Sequence, residues 1–238
     1  MQALGEQEEA EVKGWKDWMT SSNFYITAII YMFARVSLNV TATVMPLFLT
    51  ETLGFVGERE IDTSFAIAAV PLYAYICSMI FSVFGQRRVQ QRFRNRRAPM
   101  VLALLFTTVS SLPLLFLDKF DWCKQMVYPC ACLQGVGIAL MLNTSTSMIS
   151  DVIGSQVQSA AFVYGFYSFV DKTANGLFLF WLIATYSMDA LALQVCIALI
   201  PSLCSVVCAA LSFALPPTDE EDEGEIDPET SHYRAEVD

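Results

Sequence analysis

Between Ser159 and Tyr186 the chain reads SAAFVYGFYSFVDKTANGLFLFWLIATY, long and apolar enough to cross a bilayer, yet Asp171, Lys172 and Asn175 interrupt it near the middle. A charge at that depth costs roughly 2.5–3.5 kcal/mol on insertion scales, so it requires a water-lined cavity or a partner charge. At about 100° per residue, the steps of four, three and four from Tyr164 through Ser168 and Asp171 to Asn175 predict one shared helical face, with Lys172 beside it. Neighbours at i and i+1 point apart, so Asp171 and Lys172 are expected to neutralise each other poorly and to seek partners on other helices. Ala161 and Gly165, four apart, predict a groove of small residues that another helix can approach closely. A structural ion pair would account for the same residues, but intramembrane ionisable groups more often line a pathway.

The rest of the chain agrees with a membrane reading. Of 238 residues, 55% are hydrophobic and 16% charged, too apolar a balance for an ordinary soluble domain. The net charge of −10 is concentrated at the ends: 10 of the 24 acidic residues follow Leu215 and 5 precede Thr20. Between Ser21 and Leu215, 11 Lys/Arg face 9 Asp/Glu, so the hydrophobic body is nearly balanced. Of the seven cysteines, Cys77, Cys130, Cys132, Cys196, Cys204 and Cys208 lie in apolar runs and act as small hydrophobes; Cys123 falls in a loop. The one histidine, His232, is in the polar tail, which leaves no residue set for a Ser-His-Asp triad or a His-ligated metal, and no cofactor is expected.

Six spans are expected, at about 24–49, 63–84, 99–117, 126–148, 159–186 and 190–215, in an all-α membrane domain covering 21–216. An acidic flexible leader (1–20) precedes them, with Trp15 and Trp18 as interfacial anchors, and an acidic disordered tail (217–238) follows. No cleavable signal peptide is read at the start, so the first span would serve as an uncleaved signal. That span carries Arg35 near mid-depth and Asn39 a turn later, Ser21, Ser22 or Asn23 can cap it, and Pro46 is expected to bend its end. GQRRVQQRFRNRRA, from Gly85 to Ala98, reads as a cationic loop that sets orientation and meets anionic lipid headgroups; nucleic acid is not an expected partner. Gly135-Val-Gly137 invites close helix contact, and the polar stretch Asn143–Ser147 either faces a cavity or bonds to its neighbours. Asp151 and Gly154 are placed in a loop.

With six spans the termini share a side. Lys13, Lys16, the six arginines of the basic loop and Arg234 then oppose Arg59, Lys119 and Lys124, nine against three, which puts both termini in the cytosol. The partner available to Asp171 at mid-depth is Arg35; their contact leaves Lys172 to face a cavity and an anionic group of a small polar solute. Tyr164, Ser168, Asn175 and Asn39 complete the expected pathway. Another class of function, a non-transporting subunit or adaptor that recruits a partner through the acidic tail, uses none of these residues; a lipid transporter would use Lys172 to attract a headgroup.

The segment AFVYGFYSFVDKTANG (Ala161–Gly176) resembles the eleventh helix of the major facilitator superfamily domain-containing 12 group, in the glycoside–pentoside–hexuronide cation-symporter-like branch of the major facilitator superfamily. YMFARVSLN (Tyr31–Asn39), Leu49-Thr50, Pro71-Leu72 and SDVIG (Ser150–Gly154) extend the resemblance over most of 15–215. It implies the C-terminal six-helix half of a twelve-helix secondary transporter, with Lys172 matching a lysine beside the cation site. The acidic cation ligands of such relatives come from an N-terminal half, so the chain is expected either to be part of a longer protein or to pair with a second six-helix chain. The resemblance further implies cysteine or a related amino acid as solute, cation or proton coupling, and a lysosomal or related membrane. The family's GxxxDRxGRR-type loop is not matched, since Val89 stands where it has Asp.

Overall fold

A computed structural model of the chain describes residues 14–54, 61–93, 95–117, 125–154, 156–185 and 189–215. The leader through residue 13, the tail from 217, Cys123, and the charges at Lys13, Arg59, Arg94, Lys119, Lys124 and Arg234 lie outside them. The described residues are helical: α1 (Trp15–Thr20), α2 (Ser22–Leu47), α3 (Ile61–Ile80), α4 (Gln86–Arg92), α5 (Arg97–Leu114), α6 (Val127–Ile153), α7 (Ala160–Thr185) and α8 (Ala190–Ala214). Among the described residues, five stretches are long and apolar enough to cross a membrane: Ser22–Thr52, Ile67–Val89, Arg97–Leu114, Val127–Ile153 and Ala190–Ala214. The helix α7 has 26 residues, about 39 Å at 1.5 Å per residue, but with Asp171, Lys172 and Asn175 in its middle it is not among these five.

Several expectations change. Trp18 is not a free interfacial anchor: it lies in α1, buried in an aromatic cluster with Phe24 and Tyr167, while Trp15 stays exposed. Ser21 sits at the N-cap of α2, but its side chain makes no capping bond. After Pro46 the chain does not break; it continues into a π turn over Phe48–Thr52. A second π turn, Phe81–Gly85, carries α3 into α4, so Gln86–Arg92 is helix rather than loop. Its residues, QRRVQQR, contain neither Gly nor Pro and are mostly strong helix formers. The helix α6 likewise continues through Asp151 and stops at Gly154, whose φ of +52° only glycine adopts freely and whose N–H donates to the Ser150 carbonyl.

Packing centres on α2 and α6. The helix α6 lies against α5, α3 and α2; α2 also packs on α8 and α7, and α5 on α8. Ile30, Ala34, Met100, Ala103, Leu140, Met141, Met148 and Cys208 form one buried cluster among α2, α5, α6 and α8. The glycine pair in α6 makes two close approaches, as its sequence suggests. A Cβ on Gly135 would collide with the Ala74 carbonyl of α3, and one on Gly137 would sit 2.7 Å from Thr107 Oγ1 and 2.9 Å from the Thr107 nitrogen of α5. The polar stretch of α6 bonds to its neighbours. Thr144, Ser145, Thr146 and Ser147 donate to carbonyls of their own helix, and Asn143 Nδ2 reaches across to Ser82 Oγ at 3.0 Å.

Gly135→Leu is therefore expected to push α3 off α6 and to cost about 1–3 kcal/mol, the usual overpacking penalty. Gly165→Leu in α7, where a Cβ meets nothing within 4 Å, is expected to leave stability unchanged. Unfolding of the purified variants in detergent separates the two.

Candidate functional site

The helix α7 presents two unlike faces. Val163, Tyr167, Asp171 and Asn175, each four apart, are buried against the rest of the protein. Ala161, Tyr164, Gly165, Ser168, Lys172 and Gly176 form an exposed face beside them. Tyr164 and Ser168 are exposed where Asp171 and Asn175 are buried, so the expected stripe is covered at one end and open at the other, where Ser168 lies one turn from Lys172. The rotation is fixed by large side chains. Tyr167 and Val163 enter the aromatic cluster with Trp18 and Phe24, and Tyr167 Oη donates to the Phe24 carbonyl at 2.9 Å. That anchor turns Asp171, one turn further on, toward α2.

There Asp171, only 2% exposed, meets Arg35: Arg35 Nε donates to Asp171 Oδ2 at 3.4 Å, the contact expected from depth alone. Lys172 Nζ lies 3.6 Å from the same oxygen. This corrects the expectation that adjacent residues point apart: the four-carbon lysine stem folds back far enough to reach the carboxylate its backbone turns away from. The other carboxylate oxygen accepts from Asn175 Nδ2 at 2.6 Å, which also donates to the Asp171 carbonyl at 2.8 Å. Asn175 Oδ1 is buried and has no hydrogen-bond partner among the described residues. Asn39 is half-buried on α2, one helical turn beyond Arg35.

One carboxylate is thus shared by two cations of different surroundings. The Arg35 side chain is 26% exposed and that of Lys172 is 73% exposed. Because Asp171 is already engaged from behind by Arg35 and Asn175, the excess positive charge points outward through Lys172, onto the face bearing Tyr164, Ser168 and the open backbone at Gly165 and Gly176. Arg35–Asp171 joins α7 to α2, and Lys172 pairs with the same carboxylate from the exposed side.

Sequence reasoning missed Tyr167, although its spacing four residues before Asp171 marked it. It also missed a second ion pair, where Arg96 grips Asp151 in bidentate fashion (Nε–Oδ2 3.0 Å, NH2–Oδ1 3.1 Å) and ties the start of α5 to the end of α6. Placing Asp151 in a loop hid that pairing.

Residues 2–178 match the model of the Major Facilitator Superfamily. The chain belongs to that family. Major facilitator superfamily domain-containing protein 12 of Mus musculus is 34% identical over 163 residues, 68% of this chain and 32% of the relative. The proteins of the same name from Equus caballus and Homo sapiens are each 33% identical over the same shares. The alignment thus spans about a third of the length of these relatives. No solved structure matches the chain. The family is one of membrane transporters, and with several apolar helices this chain is an integral, multi-pass membrane protein.

Removing Arg35 leaves a buried carboxylate with one remaining cation. Arg35→Gln is expected to cost about 3 kcal/mol, in the range for a broken buried pair, and Lys172→Gln alone less than about 1 kcal/mol, as for exposed pairs. The double variant should lose more than the sum, by about 0.5–3 kcal/mol, because each cation covers for the other. Unfolding of the four proteins in one detergent gives the cycle.

Proposed function

We propose that the chain is the C-terminal half of a secondary active transporter for a small polar solute, and that Lys172 attracts that solute's anionic group. The observation that carries the reading is a largely exposed lysine halfway along a helix of membrane-spanning length, backed by a buried carboxylate. Lipid is a poor neighbour for such a cation, and a water-filled path or a facing helix is a good one. In this reading α7 is the fifth of six crossings and both termini lie in the cytosol. Asp171 with Arg35 fixes the helix or relays a proton, while Tyr164, Ser168, Asn175 and Asn39 contribute along the path.

The chain's short span of its relatives supports a partner for the open face of α7, either the remainder of a longer protein or a second six-helix chain. Ala161, Gly165 and Gly176 leave room there for close approach. Cysteine or a related amino acid is the proposed solute, with cation or proton coupling and a lysosomal membrane; these rest on the resemblance to the domain-containing 12 group.

Vesicle uptake by the complete transporter tests the site. Lys172→Ala is expected to lower uptake at least tenfold while leaving the unfolding profile unchanged; undiminished uptake removes Lys172 from the mechanism. Gly165→Leu, harmless to the isolated chain, should also reduce uptake by blocking the facing helix. Competition between cysteine, other amino acids and sugars in the same vesicles identifies the solute.

A further inference from the structure

The basic segment between the second and third membrane helices is divided by the structure. Arg96 is committed to Asp151, and Arg97 donates to the Leu215 carbonyl at 3.0 Å while its guanidinium lies over the Phe213 ring. Arg87 and Arg88 are exposed and pair with no carboxylate among the described residues. Both line an open cleft of about 660 Å³ together with Ser82, Val83, Phe84, Gln86 and Gln91. Its floor is held to α6 by the Asn143–Ser82 hydrogen bond.

The position of the cleft decides its chemistry. It lies at the end of the apolar stretch Ile67–Val89, where a membrane helix meets the headgroup layer. One wall is polar, with two guanidiniums and two amides, donors suited to a phosphodiester. The other, Val83 and Phe84, is 56% and 65% exposed and continues along the helix through Ile80, also exposed. A soluble anion would use only the first wall. A ligand that carries a phosphate at one end and a hydrocarbon chain at the other uses both.

We propose that this cleft binds an anionic phospholipid, its phosphate between Arg87 and Arg88 and its acyl chain along Phe84, Val83 and Ile80. The π turn at Phe81–Gly85 shapes the site by offsetting α4 from α3, so the arginines crown the apolar wall. The orientation proposed above puts the cleft in the cytosolic leaflet, where anionic lipids are concentrated. The inference needs only a membrane-embedded chain and stands whether or not Lys172 handles a solute.

The test uses the full chain in nanodiscs of mixed phosphatidylserine and phosphatidylcholine, with retained lipid read by native mass spectrometry. Phosphatidylserine should be enriched over phosphatidylcholine. Arg87→Gln and Arg88→Gln should each reduce that enrichment about tenfold, the loss of one charge-assisted hydrogen bond to the phosphate. Arg92→Gln, an equal charge change outside the cleft, should leave it within about twofold. Equal losses in all three variants would mean diffuse attraction to the surface and overturn the site. The unmodified protein supplies a readout that does not depend on variant folding: its unfolding temperature should rise with phosphatidylserine and not with phosphatidylcholine. Equal rises with both lipids overturn the proposal, as does an equal rise with millimolar inorganic phosphate, which would make this a free-anion site.

Discussion

A carboxylate held in a low-dielectric interior must be surrounded by donors, and much of α7 is arranged around that requirement. Asp171 receives Arg35 from α2, Asn175 from the next turn of its own helix and Lys172 from the adjacent residue. Unpaired, the group would carry a desolvation penalty of several kcal/mol; with three donors the penalty is offset and the helix gains a fixed rotation. The same arrangement uses more positive charge than negative, and the surplus emerges on the exposed face. An interaction that orients a helix thus also creates an electrostatic feature outside it.

The division of packing among the helices fits this. The helices α2, α5, α6 and α8 bury their contact faces in apolar clusters, and close approach at Gly135 and Gly137 sets two of the distances. The helices α3 and α7 are peripheral: α3 packs chiefly on α6, and α7 chiefly on α2. Each keeps a large uncovered surface, and each carries one of the two proposed sites, Lys172 on α7 and the arginine cleft beyond α3. Where helices do pack, every side chain facing a neighbour is committed to filling volume. In α6, four of the five consecutive polar side chains return their hydrogen bonds to their own helix, and one, Asn143, reaches across to Ser82.

The apolar runs, the existence of each long helix, the glycine approach in α6 and the Arg35–Asp171 pairing were legible in the residues. Hydrophobic length is a local property, a buried charge must find its opposite, and few opposites exist at that depth. Prolines and short charged stretches were less legible. The residues suggested a bend at Pro46 and a loop from Gly85, but π turns over Phe48–Thr52 and Phe81–Gly85 carry the chain onward as helix. Asp151 looked like part of a loop because a charge next to a glycine resembles a turn, whereas its bond to Arg96 draws it into α6.

By itself the sequence determined that this chain enters a membrane as a set of helices, that one of them carries charge at mid-depth, and that Arg35 answers it. It did not determine which face of that helix is hidden. The stripes Tyr164–Ser168 and Val163–Tyr167 differ by one residue, about 100° of rotation, and periodicity alone ranks them almost equally. Tertiary structure decided between them: Tyr167 fits among Trp18 and Phe24 and finds the Phe24 carbonyl, and the rest of α7 turns with it. Lys172 faces outward for that reason, because its neighbour's place was fixed by a ring four residues away packing against another helix.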